Sequence, residues 1–155
     1  MVNALKVNSV VGCRIVTERM NTLMGLARYM KQSSKCRDKK TSAVLAIKET
    51  ERVLAVGINS GPKPDEHCIC SDNSKYTCLH AEINCLLNYM HVITVQEMFA
   101  EKILVCSKLP CAMCATAIIN SDINIKKIVY DDDYHDKTGK ELLEKAGIEV
   151  DKYDD

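Results

Sequence analysis

His80-Ala81-Glu82-Ile83-Asn84, answered downstream by Pro110-Cys111-Ala112-Met113-Cys114, carries the strongest chemical signal in the chain. His80, Cys111 and Cys114 supply one imidazole and two thiols, a set that suits tetrahedral zinc with its fourth position left to water. Zinc lowers the pKa of such a water from about 15.7 to about 7. Glu82, two residues past the histidine, is then a free carboxylate placed to shuttle protons and not to bind metal. His80–Met90 reads as a helix with Ile83, Leu86, Leu87 and Met90 on one side, and Cys111–Asn120 as a second apolar helix. Both ligand segments therefore open helices. A three-residue step puts the two sulfurs on one helical face, and helix N-termini favour thiolates through their dipole and free N–H groups. Pro110 suits the first helical turn, where no N–H partner is needed.

Working outward, Thr17–Gln32 places Met20, Leu23, Met24, Ala27 and Met30 at helical steps, with the methionines as core filler. Ser42–Ile47 and Arg52–Ile58 are Val-, Ile- and Leu-rich runs around the polar Lys48–Glu51, which predicts a β-hairpin. Asn59–Thr77 is a long polar loop, and loops of that length in a compact domain are usually functional. Lys102–Cys106 and Lys127–Tyr130 read as strands, Thr138–Ala146 as a helix closed by Gly147, and Ile148–Val150 as a last strand. The order predicts an α/β fold, a mixed sheet of about five strands between helical layers. Residues 1–15 find no place in this scheme, and the tail Asp151–Asp155 is expected to fray.

With 155 residues the chain is expected to form one domain, its motif-bearing core spanning about 17–150. Hydrophobic residues make up 46% and charged residues 27%, as in soluble globular proteins. No apolar run approaches the roughly 20 residues of a membrane span, and Met1–Lys6 lacks a signal-peptide core, so a cytoplasmic protein with no membrane partner is expected. Nine cysteines in a reducing compartment mean metal ligands or free thiols. The 21 basic and 21 acidic residues cancel, tryptophan is absent and phenylalanine occurs once. A basic cluster is confined to Lys35–Lys40. Basic clustering is thus modest and stacking platforms for single strands are scarce, and a small-molecule substrate is favoured over nucleic acid.

The His-x-Glu…Pro-Cys-x-x-Cys pattern is that of zinc nucleobase deaminases. Together with Ser34-Lys35-Cys36, Gly57-Ile58-Asn59-Ser60-Gly61-Pro62, Ile128-Val129-Tyr130…Tyr134 and Ala146-Gly147-Ile148 in the same order, it resembles the cytidine and deoxycytidylate deaminase superfamily. Within that superfamily the phage-type deoxycytidylate (dCMP) deaminases are the nearest likeness, over about Ser34 to Val150. The resemblance implies a three-layer α/β/α sandwich and hydrolytic deamination of dCMP to dUMP, which would supply thymidylate synthesis. Glu82 would take a proton from the attacking water and pass it to N3 and then to the departing ammonia. It further implies that Asn59 contacts the sugar, the Ala81 backbone the base edge, and Tyr134 the phosphate end. A homo-oligomer, commonly a hexamer, activated by dCTP with magnesium and inhibited by dTTP, is implied as well. The chain departs from the family pattern at Thr41-Ser42, where Val-Gly is usual, and at Ile58, where an aromatic is usual. Both departures fall near the phosphate end.

Phage-type members also carry a second, structural zinc. The matching positions hold Cys36, Cys68 and Cys78, with Cys70 or His67 completing the set. Such a closed site would brace a loop with little apolar surface; the plain reading is free loop thiols. Cys13, Cys85 and Cys106 sit in apolar surroundings and read as small core residues. Asp131–Asp133 reads as a solvated acidic loop, and His91 and His135 as surface residues. Asn59 could equally serve turn geometry before Gly61-Pro62, and Tyr134 could be a packing aromatic.

Rival readings keep the fold and change the task. A deaminase of dCTP, a modified dCMP, cytidine or guanine shares every motif, whereas neutral charge and the Tyr134 segment disfavour a tRNA adenosine deaminase. A catalytically silent, zinc-stabilised binding protein has no use for Glu82. A thioredoxin-like redox pair at Cys111-x-x-Cys114 leaves His80, Glu82 and Pro110 unexplained.

Overall fold

Ser42–Ile47 (β1) and Val53–Ile58 (β2) pair antiparallel, as their apolar runs predict, with a bulge between Leu45 and Ala46. The computed structural model describes residues 8–62 and 78–154, with side chains from Glu18 onward. The remaining elements are α1 (Asn8–Met30, followed by a 3-10 turn at Lys31–Ser33), α2 (Ala81–Met90), α3 (Val95–Met98) and β3 (Lys102–Lys108). They are completed by α4 (Ala112–Asn120), β4 (Ile125–Asp132), α5 (Thr138–Lys145) and β5 (Glu149–Lys152). One sheet orders them β2-β1-β3-β4-β5, antiparallel from β2 to β3 and parallel from β3 to β5. The mixed sheet expected from the sequence is the one observed.

Alternating side chains along the central strands feed two separate cores, as the period of two dictates. Val44, Ala46, Ile103, Val105 and Val129 face one way and bury Leu23, Met24 and Ala27 of α1. Ala43, Leu45, Leu104, Cys106, Ile128 and Tyr130 face the other way against Ala81, Cys85 and Leu86 of α2, Ala115 and Ile118 of α4, and Leu143 of α5. The result is helix, sheet, helix: three layers. The parallel pairs β3–β4 and β4–β5 require crossovers, which α4 and α5 provide. Gly147 (φ +80°) ends α5 in a Schellman cap, with Ile148 N–H donating to Leu143 O (3.0 Å) and Gly147 N–H to Glu144 O (3.0 Å).

Several expectations are corrected. The tail does not fray through Tyr153: Glu149–Lys152 pairs with β4, Tyr153 N–H donates to Tyr130 O (2.8 Å), and the Tyr153 hydroxyl hydrogen-bonds Asn21 (2.7 Å); Asp155 lies outside the described residues. Arg28 lies 5.2 Å from the Tyr153 ring centre and grips Asp131 through two hydrogen bonds of 2.7 and 2.8 Å. The aspartates read as a solvated loop are instead the end of β4 and an ion-pair hub, Asp133 pairing with Lys137 and Lys152. Residues from Asn8 onward, unplaced in the sequence reading, belong to α1.

The short α3 was also missed, although Thr94 and Glu97 form a full capping box. Behind it Lys102 is fully buried, its ammonium donating to the carbonyls of Glu97 (2.7 Å) and Ala100 (2.8 Å). No described helix is long and apolar enough to cross a membrane.

Candidate active site

His80 and Cys111 occupy the N-cap positions of α2 and α4, both with extended backbone, and neither side chain caps its helix. Ser, Thr, Asp or Asn normally fills that position and satisfies a free helix N–H. Here two helices forgo it, and the side chains turn toward a common point instead. Cys114 arrives from the first turn of α4, and Pro110 stands just before the cap, two positions ahead of the first helical residue Ala112 and not in the first turn predicted for it.

Two glycines allow this convergence. A Cβ on Gly57 would lie 2.2 Å from the Ala81 carbonyl oxygen, so only glycine lets the start of α2 press onto β2. A Cβ on Gly139 would lie 2.2 Å from the Pro110 carbonyl oxygen, so α5 seats the Pro110-Cys111 turn in the same way. Asn84 and Asn88, one helical turn apart, then fasten α2 to the edge strand through 2.8 Å hydrogen bonds to the Ile58 and Val56 carbonyls.

His80 Nδ1 lies 3.5 Å from Cys111 Sγ and 3.3 Å from Cys114 Sγ, and the ligand atoms of all three fall within 4.8 Å of one another. Tetrahedral zinc with ordinary bond lengths needs nitrogen–sulfur edges of about 3.5 Å. The observed edges fit that ion. Among the described residues this is the one His/Cys/Asp/Glu group with such geometry.

Electrostatics agree with the geometry. The Cys111 thiol is pulled down to about 4, first by its hydrogen bond with Cys114 and then by His80. Cys114 is pushed up by sharing that proton and by burial, and His80 is raised chiefly by its bond to Cys111. Three donors crowd around too little positive charge, which is what a divalent cation relieves. Glu82 is buried, its Oε2 3.5 Å from Cys114 Sγ, and desolvation raises its pKa above the ordinary carboxylate value. By contrast Cys85, pushed to about 12 by burial, and Cys106, raised by burial too, are inert core thiols, as expected. Cys13 lies outside the described side chains.

A single pocket opens onto Glu82, His80 and Cys111, and its rim brings in Asn59, Tyr134, Cys36 and Cys78. Asn59 is buried and its amide is fully engaged. Oδ1 accepts from Ser34 Oγ (2.7 Å) and Thr41 N–H (2.8 Å), while Nδ2 donates to Lys39 O (2.7 Å) and approaches Cys78 Sγ (3.7 Å). It therefore pins the segment 34–41 against the end of β2. Ala81 is fully buried under Gly57. His135, read as a surface residue without a partner, is exposed but stacks on Tyr134 with ring centres 4.3 Å apart and lines the same pocket. Cys68, Cys70 and His67 lie outside the described residues. Lys108 also lines the pocket and was missed; its place three residues before Cys111 was the available signal.

Residues 17–131 match the family model of the cytidine and deoxycytidylate deaminase zinc-binding region. The chain belongs to that family. It is similar in structure to the dCMP deaminase of cyanophage S-TIM5, with TM-score 0.71, 25% identity, and coverage of 88% of this chain and 98% of that one in the apo form. The same enzyme in complex with dCMP and dUMP gives TM-score 0.75 and 27% identity over 88% and 97% of the two chains. A guanine deaminase from Nitrosomonas europaea shares the fold at TM-score 0.57 and 17% identity, covering 86% of this chain and 74% of that one. No curated protein matches by sequence.

Proposed function

We propose that this deaminase-family protein is a zinc-dependent dCMP deaminase that converts dCMP and water to dUMP and ammonia, supplying dUMP for thymidylate synthesis. The observation that carries the reading is the placement of buried Glu82 against a His80–Cys111–Cys114 set with zinc-like edges. Likeness to an enzyme seen with dCMP and dUMP supports the choice of nucleotide. When bound, zinc supplies a Lewis acid that makes water nucleophilic at neutral pH. Glu82 accepts one proton as water adds to C4 of cytosine and delivers it to N3; it then takes the second from the C4 hydroxyl as the carbonyl forms and passes it to the amino group, which departs as ammonia. A carboxyl group whose pKa is raised holds a proton more readily than an ordinary carboxylate, the direction a proton shuttle needs. Burial moves Glu82 in that direction.

Asn59 holds the 34–41 segment that forms one wall of the pocket, and Tyr134 forms another. A second, structural zinc on Cys36 and Cys78 with Cys68 and either Cys70 or His67 belongs to the same proposal. It is supported by Cys36 and Cys78 lining one pocket. Self-association is supported by apolar side chains left exposed at Met90, Val95, Met98 and Phe99.

The test is ultraviolet absorbance and ammonia release during incubation with dCMP, dCTP, cytidine and guanine. Consumption of dCMP with one ammonia per turnover is expected. No ammonia from any of the four would leave a silent deaminase fold.

A further inference from the structure

The chain leaves the α1 layer at Ser34, which follows the 3-10 turn with extended backbone and donates its N–H to Lys31 O (3.2 Å). It enters β1 at Ser42. Residues 35–41 between these points form no helix or strand, yet Cys36, Asp38, Lys39 and Thr41 line the pocket that opens onto Glu82. A wall with no hydrogen-bond ladder of its own must find its partners in side chains. Asn59, just past the end of β2, supplies them: Thr41 N–H and Ser34 Oγ reach its Oδ1, and its Nδ2 reaches Lys39 O.

What orients Asn59 is Ser34. The terminal torsion of an asparagine is broad and roughly two-fold, so a partner must tell its oxygen from its nitrogen. Ser34 Oγ lies 2.7 Å from Asn59 Oδ1 and 2.9 Å from the Asn59 backbone oxygen, and it accepts from Cys36 N–H at 3.1 Å. A hydroxyl carries one proton, and here that proton faces two oxygens of Asn59. Both side chains are buried, 2% and 6% exposed, where a hydrogen bond is screened least. The same amide reaches the other way. Nδ2 approaches Cys78 Sγ (3.7 Å), while Ser60 and Leu79 exchange backbone hydrogen bonds of 3.1 and 2.9 Å directly before His80.

We propose that Ser34 is a positioning residue: by orienting the Asn59 amide it holds segment 34–41 closed as the wall of the substrate pocket. Ser34 stands behind that wall and not on its surface. This rests on the deamination reading for the choice of substrate, while the latch has a readout of its own. Residue-resolved amide exchange and dCMP kinetics are measured on the zinc-loaded full chain of wild type, Ser34→Ala and Ser34→Thr. Thr41 N–H is the informative probe, because it bonds to Asn59 and not to Ser34. Ser34→Ala should speed its exchange about tenfold, the worth of one buried hydrogen bond, and leave the amides of β3 and β4 unchanged. KM for dCMP should rise about five- to tenfold with kcat within about twofold, because Glu82 and the metal set stay in place. Ser34→Thr, which keeps the hydroxyl, should bring both values back near wild type. A purely structural serine gives the opposite split: less folded enzyme lowers apparent kcat and leaves KM alone. That split, an unchanged Thr41 amide, exchange that quickens throughout the sheet, or a Ser34→Thr protein as impaired as Ser34→Ala would each overturn the assignment. No dCMP turnover by wild type, with the Thr41 response intact, would count against deamination and leave the Ser34–Asn59 latch standing.

Discussion

Gly57 of β2 and Ala81 of α2 meet backbone to backbone: a Cβ on Gly57 would lie 2.2 Å from the Ala81 carbonyl oxygen and 2.3 Å from the Cys85 nitrogen. That contact fixes how deeply α2 sits on the sheet, and hence where His80 and Glu82 point. Gly57→Ala forces α2 outward and should cost about 1–3 kcal/mol, the usual range for overpacking. Zinc retention should fall with it. Gly25→Ala is the control, because a Cβ there meets nothing within 4 Å and should stabilise α1 by up to about 1 kcal/mol. Thermal unfolding and metal content of both variants check the pair. Equal behaviour would refute the packing argument.

Glu82→Gln tests the proton shuttle. The amide is close in size to the carboxyl and leaves His80, Cys111 and Cys114 in place, so fold and zinc content should be retained. Turnover should drop by about a hundred- to ten-thousandfold, the typical worth of a general acid–base group. Steady-state rates with dCMP beside metal analysis decide the matter. Near wild-type turnover would remove the role.

The parts visible in the sequence were those in which local pattern and tertiary demand agree. The Val-rich runs of β1 and β2, the apolar faces of α1 and α2, and Gly147 at the end of α5 all follow local rules, and the structure obeys them. The grouping of His80, Cys111 and Cys114 was legible because ligand spacing carries its own chemistry. What escaped depends on distant neighbours. Asp151–Asp155 looks like a solvated tail until β4 offers a parallel partner and Arg28 a face for Tyr153. Lys102 looks like a surface lysine until three carbonyls close over its ammonium. Gly57 and Gly139 look like ordinary glycines until the opposing backbones arrive.

Arg28 and Asp131 tie α1 to the end of β4, and Asp131 is held below its ordinary value first by the hydrogen bonds from Arg28. The unfolded chain therefore takes up this proton at higher pH than the folded one, and stability falls as pH falls. The contribution is complete above about pH 4 and is lost as the pH drops through the folded-state value. Asp131→Asn should cost about 1 kcal/mol at pH 7, as expected for a half-exposed pair, and progressively less at lower pH. Urea unfolding of both proteins at pH 7 and pH 3 measures this. A difference that persists undiminished at pH 3 would mean the effect is packing and not charge.

The second metal makes a prediction that stoichiometry can settle. Cys36 is buried and Cys78 half-buried beside Asn59, both on the rim of the pocket that holds the first set. If both thiols bind zinc, the purified chain should carry about two equivalents, and Cys36→Ser or Cys78→Ser should each remove one while Cys111→Ser removes the other. The two losses should differ in consequence. Losing the Cys36–Cys78 ion should lower the unfolding temperature more than it lowers the rate per folded molecule, because structural zinc contributes folding free energy directly. Losing the Cys111 ion should abolish the rate. One zinc per wild-type chain, unaffected by Cys36→Ser, would show that these thiols bind no zinc and that segment 34–41 is held by Asn59 without help from metal.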